Sequence, residues 1–226
     1  MRSRIGYAFF DVDGTLISVK SMFSFMEFFH LEWRCSASSR HDYESFRNEM
    51  KSMALRGCTR EAVNLRYYEH FRGVELEELR RAGRAWFERI RRHEGSLLLP
   101  RAVECLEDHR REGIVPVFVS GSFVEILAPL AETLGVAHIL ATRLATEGGW
   151  CTGMILPPQT IGQGKAEAVL AFLADAGAAA ERCHAYGDDI SDLPMLECVG
   201  HPHPVLGDPS LIAQARQRGW AVLDPR

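Results

Sequence analysis

The order of apolar runs and helical patterns predicts an α/β fold: a Rossmann-like, doubly wound parallel sheet core with an inserted all-helical cap. Three observations lead there. From residue 96 onward, helix-length stretches alternate with short apolar runs, the order expected of βα units. The apolar runs end abruptly on Gly, Ser or Asp clusters, where strands leave a sheet. Between the first run and all the others, residues 17–95 hold helical patterns and no convincing strand.

The first run, IGYAFF at 5–10, is rich in Ile, Tyr and Phe and is bounded by Asp11 and Gly14, which reads as a buried strand. Four amphipathic stretches follow, at about 22–34, 43–56, 60–72 and 75–93, with a polar, mobile link at CSASSRH. Met22, Met26, Phe29 and Trp33 recur at helical spacing and should form the insertion's own core, whereas Phe23 and Phe25 face elsewhere and could line a pocket. Pro100 opens a helix that ends at Gly113. The run IVPVFV at 114–119 is the second strand. Ser122 is placed to cap a helix over 123–134 that Pro129 should kink. A strand near 137–145 turns through Gly148-Gly149 into a hairpin over 150–155. Lys165–Ala176 is helical, Cys183–Tyr186 is a strand, Asp208-Pro209 opens a last helix, and Trp220–Leu223 closes the chain. The stretch GHPHPVLGDP reads as a Pro-rich loop rather than a histidine metal pair. The predicted division is thus 1–16 with 96–226 as the α/β core, and 17–95 as the helical cap.

Composition excludes several classes. The 226 residues are 46% hydrophobic and 25% charged, enough for a sizeable core and unlike a disordered chain. No run approaches 18 apolar residues, so no membrane partner is expected. Two aspartates precede any apolar region long enough for a secretory signal, which points to a cytoplasmic protein. A net charge of −4 and a pI near 6.1 give no case for a nucleic-acid partner. Six scattered cysteines without a CxxC pair fit buried thiols in a reducing compartment. Residues 17–95 carry 15 Lys/Arg against 12 Asp/Glu, whereas 96–226 carry 9 against 16. A basic lid over an acidic base suits a site that holds a cation below and receives an anion from above; a net of +3 among 79 residues is equally what chance would give. Only three of the 26 basic residues are lysines, Lys20, Lys51 and Lys165. A lysine that persists against such a bias marks a place to look.

Four short motifs carry the chemistry. FDVDGTL places Asp11 and Asp13 two residues apart on an extended chain, where both can face one point beyond the sheet. Two such charges repel unless a cation lies between them or one is protonated; an acidic turn would use the same residues. Ser120-Gly121-Ser122 follows a strand and opens a helix, which makes an anion seat. Lys165 stands at a helix start, where a cation opposes the macrodipole and a structural lysine is disfavoured. Gly187-Asp188-Asp189-Ile190-Ser191-Asp192 puts three acids after the next strand, more than a cap needs.

In this order the motifs resemble those of the haloacid dehalogenase-like hydrolases, in the branch with phosphoserine phosphatase, whose helical cap follows the first motif. The resemblance covers nearly the whole chain. It implies Asp11 as the nucleophile that forms an aspartyl-phosphate, and Asp13 as the general acid and base. It implies Asp11, Asp188 and the Asp13 carbonyl as ligands of Mg2+, with Asp192 behind them holding metal-bound water. Ser120, the Gly121 N–H and Lys165 match the groups that hold the phosphoryl oxygens. Asp13 also separates the chain from the superfamily's ion pumps, which carry Thr there, and from its dehalogenases, which lack the acid. Where phosphoserine phosphatases carry a Glu for the substrate ammonium this chain has Lys20, so phosphoserine is disfavoured and Lys20 is expected to bind an anionic or polyol substrate. The family's cap arginine aligns near Tyr67, with Arg66 beside it. The expected activity is hydrolysis of a small phosphorylated metabolite: a sugar, cyclitol or amino-alcohol phosphate. Phosphoryl transfer to an acceptor alcohol, or non-catalytic binding of a phosphorylated ligand, are the alternatives.

Overall fold

A computed structural model describes residues 6–93, 95 and 97–226. Ile5, where the first strand was expected to begin, and Ser96, where the core was expected to resume, lie outside them. The chain runs β1 (Tyr7–Phe10), α1 (Ser21–Phe28) continued by a π-helical turn (Phe29–Trp33), α2 (Ser39–Leu55), α3 (Arg60–Glu69), α4 (Leu76–His93) and α5 (Pro100–Arg111). It continues through β2 (Val115–Phe123), α6 (Val124–Leu134), β3 (His138–Glu147), β4 (Trp150–Leu156), α7 (Gln163–Ala176) and β5 (His184–Gly187). A short α8 (Leu193–Glu197), β6 (His201–Pro204) and α9 (Pro209–Arg218) complete it. The sheet order is β4-β3-β2-β1-β5-β6, parallel throughout except for the β3–β4 hairpin. This is the predicted α/β architecture with a helical insertion after β1.

Both faces of the central strands are covered, which is why their sequences read as unbroken apolar runs. Phe9, Val117 and Val119 face α7, α8 and α9 through Val169, Leu173, Met195 and Leu211. On the other face Phe10, Phe118 and Phe123 join one cluster with Phe25, Tyr67, Phe71 and Trp86 of the insertion. The Phe25 and Phe123 rings lie 5.5 Å apart and edge to face. Burying rings of this size contributes roughly 2–3 kcal/mol each, so the insertion is packed onto the sheet. Phe25, expected as a possible pocket residue, is wholly inside this cluster, while Phe23 remains about half exposed. Met26 and Phe29 are buried as expected, with Met22 and Trp33 packed at the edge.

Pro129 leaves the Glu125 carbonyl of α6 without a helical donor. Gly83 of α4 comes close enough to that oxygen that a Cβ there would lie 2.4 Å away. The contact draws α4 of the insertion against α6.

Several local expectations give way to packing. The strand over 114–119 continues to Phe123, with Gly121 and Ser122 bulged out of register against β3. Phe123, not Ser122, therefore caps α6, and without a side-chain bond. The CSASSRH link is partly helix, because α2 begins at Ser39. Of the cysteines only Cys151 and Cys183 are fully buried, and Cys35 is exposed. Trp220–Leu223 adds no strand, only a bridge from Leu223 to Val205.

The predicted loop at 201–204 is the edge strand β6. On a parallel edge strand alternate N–H groups point inward; His201 and Val205 donate to Cys183 and Gly187 at 3.0 and 2.7 Å. Pro202 and Pro204 fall on the outward positions, where no donor is needed. The alternation stacks His203 on Tyr186, and His201 and His203 on His184, at centroid distances of 4.5, 4.6 and 5.3 Å. Burial, then the neighbouring imidazoles, push His184 and His203 down to about 4. The unfolded imidazole titrates near 6.5, so the unfolded chain takes up these protons first. Their contribution is complete above about pH 6.5 and falls as the pH drops towards 4. Relative to a His184→Gln/His203→Gln variant, wild type should lose on the order of 1 kcal/mol over that interval after solvent screening, or about 2–4 °C in Tm. A Tm difference independent of pH would show that the stack does not titrate on unfolding.

Candidate active site

The carboxyl ends of β1, β2 and β5 converge on a cavity of about 120 Å³. All eight residues singled out from the sequence line it: Asp11, Asp13, Lys20, Ser120, Gly121, Lys165, Asp188 and Asp192. The insertion adds Met22, Phe23, Arg60 and Asn64.

Asp11 extends β1, its N–H bonded to the Tyr186 carbonyl at 2.9 Å. Beyond it the chain turns at Gly14, whose φ of +99° favours glycine; a Cβ there would also lie 2.3 Å from Asp188 Oδ2. The turn is thereby drawn against the acid after β5. Lys165, in the first turn of α7, is 3% exposed. Its Nζ donates to Asp11 Oδ1 at 2.5 Å and to Asp192 Oδ1 at 2.6 Å. Burial opposes its charge, but the two carboxylates outweigh burial and hold the lysine above its ordinary range. Burial raises Asp11, Asp188 and Asp192 in turn, the last to about 6, with Lys165 opposing the rise in each.

Asp13 differs in its surroundings. Ser21 at the start of α1 donates to Asp13 Oδ2 from both its backbone N–H and its hydroxyl, each at 2.8 Å. Asp13 Oδ1 is buried with no hydrogen-bond partner among the described residues. Burial, and then the Asp11 carboxylate, push this acid up to about 7 against the opposing Ser21 bonds. A carboxyl raised in this way is suited to give up a proton and take one back.

The bulge at Ser120–Ser122 aims polar groups inward. Ser120 Oγ accepts from the Ser122 N–H at 3.1 Å, so its own hydrogen remains for an anion in the cavity. The Gly121 carbonyl points away, towards Asn64 Nδ2 (3.1 Å), Tyr68 OH (2.7 Å) and Thr142 Oγ1 (3.1 Å). Two of those donors belong to the insertion, which thus fixes the bulge.

Sequence reasoning missed Ser21, Asn64, Tyr68 and Arg60. Ser21 left a trace, as a polar residue opening the apolar run SMFSFMEFF. Arg60 follows the Thr59 cap of α3, and its guanidinium reaches Asp189 across the cavity mouth. The expected cap positions behave otherwise: Arg66 pairs with Glu49 and Glu69, and the buried Tyr67 bonds the Met22 carbonyl. Lys20 lines the cavity, but its Nζ turns down to the Asp13 carbonyl at 2.9 Å and lies 3.8 Å from Asp188 Oδ2.

A divalent cation fits this donor set. Asp11, Asp188 and Asp192 each offer a carboxylate oxygen within 4.8 Å of the others. Carboxylates that burial and mutual repulsion push upward gain from a cation, and an all-oxygen set suits a hard one. Both Asp192 oxygens are committed, to Lys165 and to the Asp189 N–H. Asp11 and Asp188 line the cavity with Asp192.

Residues 8–197 match the haloacid dehalogenase-like hydrolases, and the chain belongs to that family. With its helical insertion directly after β1, its fold is similar to that of a solved phosphoserine phosphatase, with a TM-score of 0.66 at 18% identity over 99% of this chain and 95% of that one. A probable phosphatase of Mycobacterium tuberculosis is 42% identical over 127 residues, which are 56% of this chain and 44% of that protein. The chain thus spans under half the length of that curated relative. A histidinol-phosphatase of Neisseria meningitidis is 25% identical over 226 residues, 96% of this chain and 97% of that protein. The crystal structure of a Bordetella pertussis protein of unknown function superposes with a TM-score of 0.83 at 27% identity, covering 99% of this chain and 100% of that one. No helix among the described residues is long and apolar enough to cross a membrane.

Proposed function

We propose that this chain is a Mg2+-dependent phosphomonoesterase that hydrolyses a small phosphorylated metabolite through an aspartyl-phosphate on Asp11. The observation that carries the reading is the geometry at Asp13: one carboxyl oxygen is held by Ser21, the other is buried without a hydrogen-bond partner among the described residues, and the buried Asp11 carboxylate lies beside it.

In the first step an Asp11 carboxylate oxygen attacks phosphorus as the ester P–O bond breaks, and the Asp13 carboxyl protonates the departing alkoxide. In the second step water attacks phosphorus, its proton passes to the Asp13 carboxylate, and the Asp11–phosphorus bond breaks. Phosphate leaves with both aspartates restored. Ser120, the Gly121 N–H and Lys165 hold the equatorial oxygens, where positioning and charge dominate. The Asp11 and Asp188 carboxylates and the Asp13 carbonyl would hold Mg2+, with Asp192 anchoring Lys165 behind them. When bound, the ion offsets the repulsion between the phosphate dianion and the Asp11 carboxylate. The helical insertion, 17–95, acts as the cap that covers the site.

Substrate class follows from the cap side. Among the described residues the insertion lines the cavity with two cationic groups, Lys20 (turned to the Asp13 carbonyl) and Arg60, and with the Asn64 amide, and with no carboxylate. A substrate ammonium lacks a carboxylate partner from the described residues of the insertion, which disfavours phosphoserine, while a hydroxyl-rich or additionally anionic metabolite has donors. Phosphate release from a broad panel of phosphorylated metabolites, with Mg2+ and with excess EDTA, tests the proposal. The expected result is turnover of a sugar or cyclitol phosphate that chelation stops and Mg2+ restores. Full activity in EDTA, or no release from any ester or aryl phosphate, would refute it. Transfer to an added alcohol instead of water would make the chain a phosphotransferase.

A further inference from the structure

The three lysines of the chain fall into three settings: Lys165 buried between carboxylates, Lys51 on the outer face of α2, and Lys20 exposed in the cavity lining. Lys20 uses its main chain to begin α1, its carbonyl accepting the Ser24 N–H at 3.1 Å. It precedes α1 as an extended residue and caps nothing with its side chain. The side chain folds back seven residues instead, and its ammonium bonds the Asp13 carbonyl at 2.9 Å, with Asp188 Oδ2 at 3.8 Å. These two groups, a main-chain oxygen and a carboxylate, are two of the three donors assigned above to the divalent cation. Two cations cannot share them at such distances.

We propose that Lys20 is an internal competitor for the metal seat: its ammonium neutralises the Asp13–Asp188 oxygens, and a divalent cation binds only by displacing it. The proposal rests on the metal assignment above. Displacement is sterically open. The Lys20 side chain is 58% exposed, and it also lines a second, open cavity with Gly14, Asp188 and Asp224. Lys20 would thus set the free-metal concentration at which the site fills, and would limit repulsion among its acids when the ion is absent. This role differs from reading the substrate through the cap.

The test is direct metal binding, read without turnover. Wild type, Lys20→Met, Lys20→Gln and Lys20→Arg are stripped with EDTA, dialysed and titrated with Mg2+ by calorimetry, and with Mn2+ by electron paramagnetic resonance. Lys51→Met controls for net charge, and Asp188→Asn for the site. Removing the competing charge should tighten binding about tenfold in the Met and Gln variants. Lys20→Arg and Lys51→Met should stay near wild type, and Asp188→Asn should bind weakly or not at all. Without divalent ions Lys20→Met should melt below wild type, and saturating Mg2+ should close the gap. Equal or weaker affinity in both neutral variants would overturn the role of Lys20 and leave the metal site standing. No binding by wild type or any Lys20 variant would overturn the metal assignment itself, and this inference with it.

Discussion

Asp11→Asn is expected to lower turnover on the order of 10⁴-fold or more while the protein stays folded. An amide oxygen is a poor nucleophile towards phosphorus and cannot form the acyl-phosphate. The substitution is nearly isosteric in a site where Asp11 is 6% exposed, so little repacking is required. Lys165 keeps its second partner, Asp192, at 2.6 Å. The direction of the effect on stability also follows. Burial and the nearby Asp188 push Asp11 upward against Lys165, so its charge is held at a cost, and removing that charge should leave Tm unchanged or slightly higher. A single-turnover assay with an aryl phosphate and a thermal melt read the two quantities. Activity within tenfold of wild type would remove the covalent mechanism; a large drop in Tm would show Asp11 to be a structural acid.

The fold was legible because its signals are local and repeated: apolar runs ended by Asp, Gly or Ser, helices opened by Pro100 and Asp208-Pro209, and a strandless stretch after the first run. The eight site residues were legible for a related reason. Each lies at or just beyond a strand end or at a helix start, where side chains of any βα unit project to one side of the sheet. What escaped depended on contacts distant in sequence. Phe25 could not be told from Phe23 until α4 and Phe123 were placed beside it. Ser122 looks like a helix cap because local chemistry favours it, but the bulge at 120–122 is held by Asn64 and Tyr68, more than fifty residues away. The HPHP segment hides its strand because its prolines fall on the outward positions of an edge. Arg60 carries no distinguishing pattern. An arginine after a Thr cap is common, and only the approach of α3 to the loop after β5 brings it to Asp189.

Lys165→Met is expected to be the most destabilising change at the site. The ammonium lies between Asp11 and Asp192, with side chains 4% exposed for the lysine and 9% and 1% for the two acids. Removing it leaves two buried carboxylates uncompensated, a loss of about 3–5 kcal/mol. In a chain of this size that is roughly 10 °C or more in Tm. The acids would respond by taking up protons. Asp192 is already pushed to about 6 by burial, with Lys165 opposing the rise, and without the lysine it should climb further. A carboxyl whose folded value lies above its unfolded one stabilises the fold below that value, and this contribution is lost as pH rises through it. The variant should therefore recover stability relative to wild type as pH falls from about 8 to about 6, the reverse of the histidine stack. Adding Asp192→Asn should restore much of the lost Tm by removing one unpaired charge, but it should restore no turnover, because the phosphoryl oxygens still lack their cation. Thermal melts of the two single variants and the double variant across that pH range form a double-mutant cycle. Additive losses, with no recovery on acidification, would mean that Lys165 does not hold the two carboxylates as a unit.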